Sequence, residues 1–183
     1  MASSAIENQV YTVDDIYDLP DGVRAELIDG EVYYMAPPMR EHQRIVGRLS
    51  RIIGNYIDAK QGRCEVYEAP FQVRLNKDDK NYVEPDISVI CDPGKLTDYG
   101  CAGAPDWVIE VVSPGSVKMD YGIKLFKYRS AGVREYWLAD PTTRNVIVYN
   151  FEKNDVTKFL FTDPIPSGIY PDLTIVIEPV VSQ

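Results

Sequence analysis

Hydrophobic and polar positions along this chain fall into two long helical stripes set among short runs that alternate like strands. From about Arg40 to Ala59 the apolar residues Ile45, Val46, Leu49, Ile52, Ile53 and Tyr56 recur at spacings of three and four. That spacing predicts a long amphipathic helix, with Gly62 placed to end it. A second helix is predicted from about Val117 to Ala131, capped by Ser116 and stopped by Gly132. Thr12 followed by Asp14 and Asp15 reads as the capped start of a short helix that ends before Pro20-Asp21-Gly22. Strand-like runs occupy 24–28 and 31–35, with the hairpin signal Asp29-Gly30 between them. Others follow at 65–67, 71–75, 83–90, 106–112, 133–140, 145–151, 156–161 and 173–177. The pattern predicts an α/β fold in which one sheet is flanked by two main helices, with hairpins at its periphery. Residues 1–11 read as a loose N-terminal arm and 12–183 as a single domain.

One residue breaks this pattern. In Asp106-Trp107-Val108-Ile109-Glu110-Val111-Val112, alternate side chains face opposite sides of the strand. Val108, Glu110 and Val112 share one face, and Trp107, Ile109 and Val111 share the other. Both faces are apolar, as in a strand covered on both sides. A carboxylate there is costly unless it is paired, protonated or bound to a metal. Charges kept in such places are candidates for function.

Net charge is −9 with a pI near 4.6, which argues against a broad surface for an anionic partner. The basic residues are nevertheless concentrated. Residues 40–63 hold Arg40, Arg44, Arg48, Arg51, Lys60 and Arg63 against two acids, and 118–134 hold five basic residues against Asp120. This distribution fits a local anion site. No apolar run approaches the ~20 residues of a membrane span. The N-terminus lacks the basic start and apolar core of a signal peptide, so a cytoplasmic location is expected. Cys64, Cys91 and Cys101 are odd in number and match no metal-binding spacing, so reduced thiols are expected rather than a disulfide framework.

The ordered set Glu26-Leu27-Ile28-Asp29-Gly30-Glu31, Glu41-His42-Gln43, Pro85-Asp86, Pro105 to Pro114, Asp120, Lys124, Tyr128 and Gly132 to Trp137 resembles a PD-(D/E)XK nuclease-fold protein. More narrowly, it resembles the Uma-type family of putative restriction endonucleases, over roughly residues 12–180. The resemblance implies a restriction-endonuclease-like central mixed β-sheet and a metal-dependent endonuclease that hydrolyses phosphodiester bonds in DNA. It also implies a homodimer; separately, a single chain this acidic is expected to bind DNA weakly. In the superfamily a lysine stands two residues after the second acid, where this chain has Val112. The narrower resemblance implies that the role has moved to Lys124, with Lys118 as a competitor.

The chemistry accounts for these residue types. Asp86 and Glu110, if brought together on neighbouring strands, can hold Mg²⁺ or Mn²⁺, hard ions that prefer oxygen ligands. Lys124 can neutralise developing charge. Glu26, His42, Asp120 and Lys118 are supporting candidates, and Arg44, Arg48 and Arg51 are candidates for phosphate contacts. Plainer readings stand beside these. Glu110 can belong to a structural ion pair, Asp120 and Lys124 to a surface i,i+4 pair, His42 to the packed core, and the arginines to a solvated helix face. The alternative to an enzyme is a non-catalytic protein that keeps the fold as an interaction module.

Overall fold

The computed structural model describes residues 9–177. In chain order its elements are α1 (Val13–Tyr17), β1 (Ala25–Ile28), β2 (Glu31–Tyr34), α2 (Arg40–Ala59), β3 (Glu65–Glu68), β4 (Gln72–Arg74), β5 (Ile87–Ile90), β6 (Leu96–Thr97), β7 (Gly100–Ala102) and β8 (Trp107–Val111). A π-helical segment (Met119–Lys124) then runs directly into α3 (Leu125–Ala131), followed by β9 (Glu135–Asp140), β10 (Asn145–Asn150), β11 (Asp155–Leu160), β12 (Ile165–Pro166) and β13 (Thr174–Ile175). Six strands form one mixed sheet in the order β11-β10-β9-β8-β5-β3. β8 and β9 run parallel, joined by the crossover through α3, and their neighbours are antiparallel.

The helices cover opposite faces of that sheet. α2 lays Ile45, Val46, Leu49, Ile53 and Ile57 against Ile87, Val89, Trp107, Ile109, Val111 and Trp137. The other face gathers Val108, Val112, Tyr136 and Leu138 beneath Tyr128 of α3. β8 is therefore buried on both sides, as its two apolar faces require. Two edge-to-face aromatic pairs, Trp107–Trp137 and Tyr128–Tyr136, with interplanar angles of 61° and 65°, mark the two layers.

The β1–β2 hairpin turns on Asp29 and Gly30, both at positive φ (53° and 81°). Asp and Gly tolerate that conformation at little cost. The hairpin lies outside the six-stranded sheet, as expected, but is tied to it. Leu27 and Tyr82 exchange backbone hydrogen bonds of 2.7 and 2.8 Å, tying β1 to the chain that enters β5. Residues 1–8 of the expected arm lie outside the described residues, and the backbone N–H of Tyr11 bonds the Gly30 carbonyl at 2.9 Å.

Local expectations need three corrections. Gly62 is not the left-handed residue at the end of α2. Gln61 takes φ 50°, while the Gly62 N–H reaches back to the Ile57 carbonyl at 2.8 Å. The second helix contains a π-helical turn, which a 3.6-residue periodicity does not reveal. The expected strand at 71–75 appears as β4, but it pairs in a small separate sheet with β6 and β7, whose two and three residues carry too little alternation to read.

The cysteine expectation is overturned. β3 and β5 are antiparallel with Glu65 opposite Ile90, so one step outward Cys64 meets Cys91, and the two form a disulfide. Strand register produces this pairing, and neither the number of cysteines nor their spacing reveals it. Cys101 is a buried free thiol, pushed up to about 11 by burial, and therefore unreactive at neutral pH. The bridge closes a sequence separation of 27 residues. By chain entropy, reduction or the double variant Cys64→Ser/Cys91→Ser should lower the unfolding free energy by about 3 kcal/mol. Urea unfolding with and without dithiothreitol measures this, and identical midpoints would count against the bridge.

Candidate active site

The register between β5 and β8 brings the two acids together. Ile87 pairs with Ile109, so Asp86, just before β5, faces Glu110 within β8. Each carboxylate accepts from the other's stretch of backbone. The Val111 N–H donates to Asp86 Oδ2 at 2.8 Å, and the Asp86 N–H donates to Glu110 Oε2 at 3.3 Å. Both side chains stand on the α3 side of the sheet, with Glu110 only 3% exposed.

Lys124 closes the π-helical turn and points down onto this face. Its Nζ lies 2.9 Å from Glu26 Oε1, 3.0 Å from Glu110 Oε1 and 3.9 Å from Asp120 Oδ1. Asp120, Lys124 and Tyr128 form one buried row at i, i+4 and i+8. The Tyr128 hydroxyl completes the grip on Glu110, donating to Oε1 at 2.6 Å. Glu26 is held in turn by the backbone N–H of Glu84 at 2.9 Å. Glu84 accepts from Arg24 Nε at 2.8 Å and from the Tyr82 hydroxyl at 2.7 Å. The hairpin thus supplies one arm of the site, as its bridge to Tyr82 requires.

The electrostatics follow from burial and crowding. Desolvation pushes Glu110 well above the usual carboxylate range. Lys124 pulls it back, while Asp86, Asp120 and Glu26 add to the rise. Asp120 is pushed up to about 6, chiefly by burial. Burial would lower Lys124, but Glu110, Glu26 and Asp120 outweigh it and hold the ammonium protonated. Lys124 therefore faces three carboxylates, Glu26, Glu110 and Asp120, with Asp86 beside Glu110.

These groups line a cleft of about 400 Å³. His42, near the start of α2, enters from the opposite helix, with Nε2 3.0 Å from Asp86 Oδ2. His42 Nδ1 is buried without a partner among the described residues. It is therefore a cleft residue rather than a core residue of the α2 stripe. Lys118 is exposed and does not line the cleft, so Lys124 is the lysine that reaches the acids. Arg44, Arg48 and Arg51 do not line the cleft either; Arg44 and Arg48 are half-buried and Arg51 is exposed. Tyr128 and Glu84 carry no charge anomaly in the sequence. Tyr128 could have been found from its place one turn beyond Lys124.

Excess negative charge in a desolvated cleft fits a cation. Among the described residues no three Asp, Glu, His or Cys side chains converge as a preformed cage. Mg²⁺ does not need one, since it keeps several waters and uses one or two protein carboxylates. The donor set therefore fits a divalent hard cation held by Asp86 and Glu110.

The site thus joins two acids from neighbouring stretches of a mixed sheet to a helix-borne lysine. Residues 13–164 match the Uma2 family, described as "Putative restriction endonuclease". The chain belongs to that family. Two relatives from Synechocystis sp. PCC 6803 are similar to it. The protein slr1290 is 31% identical over 131 residues, covering 71% of this chain and 66% of the relative. The protein sll1609 is 28% identical over 120 residues, covering 64% of this chain and 66% of the relative. The matched region thus spans slightly less than two thirds of each relative. A crystal structure described as a putative nuclease belonging to DUF820, from Anabaena variabilis, superimposes with TM-score 0.75 at 22% identity. That superposition covers 93% of this chain and 97% of that one, and it shows the shared fold. No helix among the described residues is long and apolar enough to cross a membrane.

Two outcomes test this electrostatic picture, both in EDTA. Lys124→Met leaves buried carboxylates without their cation and should cost about 3–5 kcal/mol at pH 8. Part of that loss should return at pH 5 as carboxyls protonate. For Asp120, a native pKa of about 6 against an ordinary 3.8 means the folded state holds the proton more tightly. Its contribution is complete below pH 3.8 and is lost as pH rises through about 6. Asp120→Asn should therefore gain stability relative to wild type between pH 4 and 8. Urea unfolding across that range would show a constant difference if the site were solvated.

Proposed function

We propose that this protein is a divalent-metal-dependent endonuclease that hydrolyses phosphodiester bonds in DNA. The observation that carries the reading is the convergence of Asp86 and Glu110, from adjacent strands, with Lys124 in a cleft where carboxylates outnumber cations. Mg²⁺, or Mn²⁺ in its place, would be held by Asp86 and Glu110 and would supply Lewis acidity for an attacking water and charge neutralisation at phosphorus.

The chain's own groups divide the remaining work. The Val111 N–H and His42 Nε2 orient Asp86, and Tyr128 and Lys124 orient Glu110 from the Oε1 side, leaving Oε2 toward Asp86. Lys124 keeps a permanent positive charge beside the position of the scissile group. Glu26 and Asp120 hold that ammonium in place. Dimerisation would bring two such clefts to one duplex, and it belongs to this proposal as the family resemblance implies it.

One observation favours a second reading, in which the fold serves as a non-catalytic module. Lys124 is already paired with Glu26 and Glu110, as in a closed structural ion cluster. Metal binding separates the two readings. A ligand that binds only the folded state stabilises it by RT ln(1 + [L]/Kd), about 2.7 kcal/mol at a hundredfold excess over Kd. Millimolar Mn²⁺ should raise the melting temperature of the wild type, and the rise should vanish in Asp86→Ala. Nicking of supercoiled plasmid should fall with it, by about 100-fold or more. A wild type that neither shifts nor nicks would leave the structural ion cluster as the better account.

A further inference from the structure

The cleft has a second wall that the carboxylate chemistry does not use. Residues 34–39, Tyr34-Met35-Ala36-Pro37-Pro38-Met39, connect β2 to α2 and line the same cleft as Asp86 and Glu110. They contain no charged side chain, yet Tyr34 is 70% exposed and Met39 65% exposed, with Ala36 and the two prolines exposed between them. An exposed run without charge, broken only by half-buried Met35, is unfavourable in water and marks a contact surface. Two prolines restrict φ along it, so the wall is held in shape.

We propose that this wall stacks an unpaired base, and that the substrate is a single-stranded or locally unpaired DNA segment rather than continuous duplex. The inference rests on the nuclease reading above and names its substrate class. Whatever fills the cleft must offer an apolar or π face to Tyr34 and Met39 while its backbone lies at the carboxylates. A base within a duplex hides its faces in the stack, and an unpaired nucleotide presents them. Phosphates of either single strand or duplex call for cations around the cleft, and where cations are scarce the stacking of an unpaired base is the contact left to supply affinity. The two cations that line it are committed: Arg24 Nε to Glu84 at 2.8 Å, and Lys124 to Glu26 and Glu110.

The test uses the full chain with Mn²⁺ and one fluorescein-labelled oligonucleotide, alone and annealed to its complement. Cleavage is followed on gels and binding by anisotropy. The single strand should be cut about tenfold faster than the duplex. Tyr34→Ala should lower single-strand cleavage by about tenfold, the scale of losing one base–aromatic stack. Tyr34→Trp should retain cleavage, and the Mn²⁺-induced thermal shift should persist in both variants. Equal rates on single strand and duplex, or no effect of Tyr34→Ala, would overturn the substrate assignment while leaving the nuclease reading intact. If nothing is cut but single strand binds preferentially and through Tyr34, the stacking wall stands and the nuclease reading falls. If oligonucleotides are neither cut nor bound, both fail.

Discussion

Lys124 is the single cation around which carboxylates from three separate elements are arranged. Glu26 comes from the hairpin, Glu110 from the central strand and Asp120 from the π-helical turn. Each is buried, and none could remain ionised there alone without a large desolvation cost. The lysine makes the cluster possible but does not neutralise it. The remaining negative charge is the basis of the proposal that the cleft takes a divalent ion.

A second buried carboxylate provides a useful contrast. Glu135 is fully buried at the start of β9 and is pushed up to about 7 by desolvation. It accepts from Trp137 Nε1 at 2.7 Å, from the Gly168 N–H at 2.6 Å and from Asn150 Nδ2 at 3.4 Å. A Cβ on Gly168 would collide with its carboxylate, which accounts for glycine at that position. Its hydrogen-bond donors are neutral, Lys153 adds an attractive charge, and it does not line the cleft. Glu135 therefore pins the β12–β13 region to the sheet. Burial alone does not distinguish a functional acid from a structural one. Surplus like charge beside a cleft is what makes Glu110 the candidate.

Much of the site was legible in the chain. Glu110 stood out because strand alternation gives β8 two apolar faces, and the i,i+4 spacing of Asp120 and Lys124 set both on one side of a helix. Tyr128 lay one turn further along that row. The long helix from Arg40 to Ala59 and the Asp29-Gly30 hairpin were likewise readable, because each depends on local periodicity or local φ preference. The family resemblance added the lysine's displacement to the helix, and the geometry places Lys124 rather than Lys118 against the acids.

What the chain alone left open depends on pairings between residues far apart in sequence. The β3–β5 register decided that Cys64 and Cys91 would bond. The β1 bridge to Tyr82 decided that Glu26 would reach Lys124. The entry of α2 at the sheet end brought His42 to Asp86 rather than into the core. The helix kept the arginines on its outer surface and the apolar 34–39 segment beside the cleft. Periodicity fixes which face a side chain occupies within its own element. Only strand register and the docking of elements, set by burial of the whole core, determine which faces meet.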